Sequence, residues 1–436
     1  MKKAISHIFL LIGWVLFSLA CGGGGGGGGS SDSTESVVQE KATIENVILS
    51  EPEAETLPLD VPDYISYAIS NLPLHYKVEV ESFGNASDTD NTPLNNPITN
   101  EGALLGRTLF YDQNLSLNNS ISCASCHRQD LGFSDNDRFS RGFDGERTDR
   151  HSPGISNAAF YERGRFFWDE RSETLEEQVL EPIQSPIEMG MDLDTLVTRM
   201  GNLQYYPVLF ETAFGDNVIT TDRISLALAQ FIRAMVSYNS PFDQAFDAEG
   251  NPNFEANLTE EEQLGLALFA GAPSENGVGI DCSSCHNTVA MSSIDVKNIG
   301  LRNNDDDGAG AEHFKSPSLR NIAERTHFMH DGRFDSLEEV IDHYSDEIQD
   351  DPNLSPELRD NSGNVLQPRY NREERQALRA FLESLSDSAL LTSELFSDPF
   401  GNIAPRPRGD RPRNNNNRPR RINDNRNRDR DRDRNN

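Results

Sequence analysis

Cysteine is scarce in this chain, with 5 in 436 residues, and four of the five sit in two copies of one short pattern. Cations are outnumbered: 39 Lys and Arg face 71 Asp and Glu, for a formal net charge of −32. That balance excludes a whole-protein surface for nucleic acid or acidic lipid and favours basic partners such as small cationic proteins. Long apolar runs are missing as well. The run from Ile8 to Leu19 is too short to span a bilayer. Stretches of alternating β-branched residues are nearly absent, which argues against an all-β body. What remains is a polar chain, 36% hydrophobic with 23 Phe, long enough for two compact domains with cores and for unstructured ends.

The ends have distinct compositions. Lys2 and Lys3 precede the apolar run, and Ala20 stands before Cys21, so residues 1–20 are expected to be an export signal. A cysteine directly after such a run resembles the lipobox of bacterial lipoproteins, although Ser18 occupies the position where Leu is usual. The resemblance implies lipidation of Cys21, attachment to a membrane by that lipid alone, and a periplasmic, outer-membrane location, for which Gly22 after the cysteine is permissive. An ordinary cleaved signal is the other reading. Eight glycines, Gly22 to Gly29, open a flexible tether over 21–60. At the far end, 401–436 is low-complexity, with 12 Arg and 5 Asp from Pro405 onward, and is expected to be a solvated tail.

Between the ends the periodicity is helical. Ile224, Leu228, Phe231, Ile232 and Met235 recur at helical spacing behind Thr221, the expected N-cap. Thr259 with Glu262, Ser336 with Glu339 and Thr174 with Glu177 have capping-box spacing, and Asn371 opens the last long helix. The fold class expected is mainly α. Two segments also repeat coarsely: Leu109-Phe110 and Leu268-Phe269 lie at similar distances ahead of "SCASCH" and "DCSSCH". Two related domains follow, over 95–245 and 250–395.

Those two motifs carry the chemistry. Cys123, Cys126 and His127, and again Cys282, Cys285 and His286, form C-x-x-C-H, the sequence that attaches a c-type haem through two thioethers. On a helical turn the positions i, i+3 and i+4 share a face, so both sulfurs can pin the porphyrin edge while the histidine reaches iron. Zinc would need further paired Cys or His ligands, and a redox dithiol would want a βαβ setting; the chain offers neither. Each domain is therefore expected to be cytochrome c-like, with one covalently bound haem c.

The intervening stretch "NAAFYERGRFFWDERSETLEEQ" with "EMG", and the later "SPSLRN" and "HDGRFDSLEEV", resemble the bacterial dihaem cytochrome c peroxidases over roughly residues 95–390. The resemblance implies a peroxidatic haem at Cys123, Cys126 and His127 that meets hydrogen peroxide. It makes Glu188 the distal acid/base, Gln178 an orienting amide, and Trp168 an electron relay between the haems. Cys282, Cys285 and His286 would hold the haem that accepts electrons from a small cytochrome c or cupredoxin. It also implies a calcium ion, with Asn157 as a side-chain ligand. A homodimer stays open.

The sequence departs from the family pattern at three places. Glu170 replaces the usual glycine of "WDGR" and is expected at a surface turn. No histidine occurs from Arg128 to Arg150, and His151 reads as a loop residue, so the first iron is expected to be open on its distal side. Where the peroxidases place a methionine as sixth ligand of the second haem, this chain has Tyr344, with Met329 and His343 as rivals. A tyrosine there resembles the methylamine-utilisation enzymes of the same family, which oxidise tryptophans on a partner protein. The leading expectation is a peroxidase reducing peroxide to water. The alternatives are a peroxide-dependent oxidase of a partner's aromatic residues and a plain dihaem electron carrier.

Overall fold

The computed structural model describes residues 62–80, 83–292, 295–301 and 307–401. The expected signal, Cys21 with its tether, and the tail from 402 on lie outside the described residues. Helices dominate. The only sheet among the described residues is an antiparallel pair of two-residue strands, Val296–Lys297 against Phe314–Lys315.

Two helix pairs build two hydrophobic cores. Asn100–Tyr111 packs along Thr221–Ala234, bringing Leu105, Leu109 and Phe110 against Leu228 and Phe231. Glu260–Phe269 packs along Arg372–Ser384, bringing Leu268 and Phe269 against Leu378 and Phe381. Each such side chain, once buried, contributes about 1.5–3 kcal/mol. The crossings use one device twice. A Cβ on Gly106 would run into the Ala227 carbonyl and the Phe231 side chain; a Cβ on Gly265 would meet the Ala377 carbonyl and Phe381 in the same way. The repeat heard in "LF" is thus a repeat of helix crossings at a glycine facing an alanine.

Most caps fall where the spacing put them. Thr259 and Glu262 form a reciprocal box, as do Asn371 and Glu374, while Ser336 and Thr174 cap through their hydroxyls. One shifts by a residue: Thr220 caps the helix and Thr221 is its first residue, because the Thr220 hydroxyl accepts from the Arg223 N–H.

Both ends of the described chain cross over. Tyr76, Val80 and Phe83 pack into the second core, whereas Leu390 and Phe396 return to the first. A buried cluster fastens the leading segment: Arg320 grips Asp243 at 2.6 and 2.7 Å, and His75 Nε2 lies 3.0 Å from the same carboxylate. The two C-x-x-C stretches differ locally. Cys123–Cys126 is one α-turn, but Cys282–Ser284 is a tighter 3₁₀ turn capped by Asp281.

The glycine crossings can be tested directly. Gly106→Ala and Gly265→Ala are each expected to cost about 1–3 kcal/mol in thermal unfolding, the usual penalty for overpacking. Gly201→Ala, which meets open space in the helix Leu193–Asn202, is expected to be neutral or to stabilise by up to about 1 kcal/mol.

Candidate functional site

Each C-x-x-C-H motif opens onto its own cavity. The first cavity, about 850 Å³, is lined by Cys123, Cys126 and His127, and the same walls carry Trp168, Gln178 and Glu188. All six expected residues therefore meet in one place. The second, a narrower slot of about 190 Å³, is lined by Cys282, Cys285 and His286.

The motif side chains suit covalent haem attachment better than redox exchange. All four cysteines are free. Burial pushes the thiols of Cys123, Cys126 and Cys282 up to about 12 and raises Cys285 too, the reverse of an activated dithiol. Burial likewise lowers the pKa of His127, and that of His286 to about 4, so both rings are neutral at physiological pH, as ligation requires. His127 Nδ1 lies 2.9 Å from the Phe133 carbonyl, which fixes the tautomer and leaves Nε2 for a metal. The first cavity falls within the size range of cofactor pockets, and the second is smaller than that range. Phe269, Leu319, Ile322, Leu337 and Leu378 give the second slot the apolar walls that a flat macrocycle needs. The residues present fit a haem at each motif.

Local structure explains the placement of Glu188. Its N–H bonds Ser185 at the backbone carbonyl and the hydroxyl, and its carbonyl accepts from Phe143 at 2.8 Å. Two residues on, Gly190 takes φ 64° with Phe143 packed where a Cβ would be. Burial raises the Glu188 pKa, with Ser185 and Arg171 opposing that rise. The carboxylate also acts electrostatically on Cys123 and Cys126, which puts it near the attachment point.

The two cavities share a wall. Trp168, His151, Lys315 and His330 line both. The Trp168 indole donates to the His151 carbonyl at 2.7 Å, and the Trp168 carbonyl accepts from Lys315 N–H at 2.8 Å. Both His151 ring nitrogens have protein partners, Ser134 Oγ and the Arg138 carbonyl, each at 3.1 Å. This histidine is a buried strut rather than a cap for iron.

Around the second slot, Tyr344 and Met329 both line the cavity. Tyr344 lies in a π-turn, His343–Glu347, that interrupts the helix begun at Leu337; such turns gather at functional sites. Its phenol makes no hydrogen bond among the described residues, and burial raises its pKa. His343, a rival ligand by sequence, does not line the slot: its Nε2 is taken by the Ile299 carbonyl at 2.9 Å.

Asn157 lines the first cavity and its amide also braces the protein: Oδ1 accepts from Ser237 N–H at 2.8 Å and Nδ2 donates to the Tyr76 hydroxyl at 3.0 Å. One sequence expectation is corrected. Glu170 is not at a surface turn. It is 4% exposed, paired with Arg163 and bonded by the Tyr161 hydroxyl. Sequence reasoning also missed Lys315, Tyr161 and His330 in the cavity walls. Only the odd glutamate in "WDER" hinted at that cluster.

Known proteins resemble this chain. The family model described as di-haem cytochrome c peroxidase matches residues 100–251 and 259–393. The methylamine utilization protein MauG of Methylophilus methylotrophus is 35% identical over 70% of this chain and 88% of its own length. Cytochrome c551 peroxidase of Nitrosomonas europaea is 31% identical over 55% of this chain and 71% of its own. A crystal structure of a MauG-like protein associated with microbial copper homeostasis superposes with a TM-score of 0.60 at 32% identity, covering 71% of this chain and 96% of that one. With two C-x-x-C-H motifs, each opening onto a cavity, and the family model matching most of the described residues, this chain belongs to the di-haem cytochrome c peroxidase family of oxidoreductases.

Proposed function

We propose that the chain consumes hydrogen peroxide at a haem held by Cys123, Cys126 and His127, supplied with electrons through a second haem held by Cys282, Cys285 and His286. Each motif then marks its own haem domain, 95–245 and 250–395. The observation that carries the reading is the contrast between the cavities. The first is roomy and walled by Glu188, Gln178, Arg171 and Asp169, groups that a small polar oxidant can use. The second is narrow, apolar and faced by Tyr344 and Met329, which suits an iron that passes electrons without binding substrate.

Bound at these sites, the haems supply the redox couples that take up the two oxidising equivalents of peroxide. The chain's own residues do the rest. Glu188 takes a proton from the near peroxide oxygen and returns it to the far one, so that the O–O bond breaks heterolytically. Gln178 orients peroxide or water through its amide. Trp168, pinned in the shared wall, carries electrons between the sites. A small cytochrome c or cupredoxin is the donor, steered by the −32 charge of the chain. The export signal and Cys21 support a lipid-anchored, periplasmic location.

A second fate for the oxidising equivalents, oxidation of aromatic side chains on a partner protein, is favoured by Tyr344. An anionic tyrosine ligand stabilises ferric iron, where methionine stabilises ferrous. A second haem so ligated would be a poor acceptor in ordinary cytochrome turnover.

Two variants test these readings. Glu188→Gln is expected to lower peroxide turnover by about 10²–10⁴-fold with the haem absorption spectrum unchanged. Glu188 must be ionised to take the first proton, so wild-type kcat/KM is lost as pH falls through its pKa. Burial places that limb above the ordinary value of about 4.3, and the variant should lack it. Full turnover in Glu188→Gln would show that another group moves the proton. Tyr344→Met is expected to raise the potential of the second haem in spectroelectrochemical titration, within the roughly 0.8 V span that axial ligands command. An unchanged potential and spectrum would remove Tyr344 as a ligand.

A further inference from the structure

Two residues beyond Trp168 the backbone adopts a costly conformation. Glu170 lies at φ 55°, left-handed geometry that costs a non-glycine residue about 1–2 kcal/mol. Its carboxylate is also buried, which is costly unless the charge is paired and hydrogen-bonded. Both partners are present: Arg163 Nη2 lies 2.8 Å from Oε2, and the Tyr161 hydroxyl donates to Oε1. Tyr161 is 1% exposed and, like Trp168, lines the first cavity. Lys315 Nζ sits 4.0 Å from the centre of the Tyr161 ring. Burial brings the Lys315 pKa down to about 7, so no permanent cation is imposed on that ring.

We propose that Tyr161 is an oxidisable side chain of the first site, with the Glu170 carboxylate as its proton acceptor. The inference rests on reading the first cavity as the peroxide-consuming haem site. In the step, Tyr161 gives one electron to the oxidising equivalent that peroxide leaves at that haem. Its O–H bond breaks and the proton passes to Glu170 Oε1. The products are a neutral tyrosyl radical, a protonated Glu170 and a site reduced by one electron. Oxidising a phenol that keeps its proton would create a further buried cation beside Lys315. A carboxylate already bonded to the hydroxyl avoids that, and Arg163 on the other oxygen leaves Oε1 to the phenol. The pair gives an oxidising equivalent a resting place in the chain when no electron arrives through the second haem.

Tyr206 and Tyr205 provide an internal comparison. Their hydroxyls also donate to a carboxylate, Asp112, at 2.7 and 2.9 Å. Neither lines the first cavity.

The test is freeze-quenched electron paramagnetic resonance of the two-haem protein mixed with peroxide and no electron donor. A tyrosyl signal is expected, and 3-fluorotyrosine introduced at position 161, which preserves the shape of the side chain, should add fluorine hyperfine splitting to it. Glu170→Gln retains a hydrogen-bond acceptor but cannot take the proton, and should cut the radical yield by about 100-fold, the low end of what loss of a positioned base costs. A tyrosyl signal that the label at 161 leaves unsplit would place the radical elsewhere and overturn the proposal. So would peroxide consumption with no tyrosyl signal, which leaves the peroxide reading of the first cavity standing. Failure of the protein to consume peroxide at all would overturn both.

Discussion

The hydrogen bond from the Trp168 indole to the His151 carbonyl holds together the wall on which both cavities depend. A hydrogen bond of this kind is worth only about 0.5–1.5 kcal/mol net. Its importance is positional. It fixes an aromatic ring between two attachment sites, and the chain must then satisfy every other polar group on that wall. His151 is held by Ser134 and Arg138, and Lys315 by the Trp168 and Arg165 carbonyls. Phe314 stacks on His330 with ring centres 3.6 Å apart. The two helix pairs with their glycine crossings give the wall its rigid supports, one core on each side.

From that wall the two sides diverge in polarity, and the proposed roles rest on this difference. A carboxylate whose pKa is raised by burial faces the first motif beside an amide. A raised pKa makes such a group better able to return a proton than an ordinary exposed glutamate. The second motif faces a mostly apolar lining with Tyr344 and Met329, to which Arg325 and the Lys297–Glu357 ion pair also contribute. In the proposed reading, two differently lined cavities separate chemistry from electron supply.

Much of this was legible in the residues. Two C-x-x-C-H motifs, the helical periodicity, the caps at Thr259 and Asn371 and the paired "LF" segments all act locally, and a linear reading detects local rules. Less legible were the features set by tertiary contacts. Nothing in the identity of Glu170 announces a left-handed backbone or a buried carboxylate; both follow from where Tyr161 and Arg163 come to rest. The bracing of Asn157 is hidden for the same reason: its partners, Tyr76 and Ser237, are some 80 residues away on either side. His343 and Tyr344 are adjacent in sequence, yet the π-turn sends one to the Ile299 carbonyl and the other to the slot. The exchange of terminal segments between the cores is likewise invisible to periodicity, which reports that a face is apolar and not what it covers.

In the proposed reading one cavity admits a small ligand to iron and the other does not. Titration of the fully reduced two-haem protein with carbon monoxide, followed by absorption, tests it most directly. The expected result is one carbon monoxide bound per two haems, with no prior activation step. Two bound would contradict the claim, and so would none.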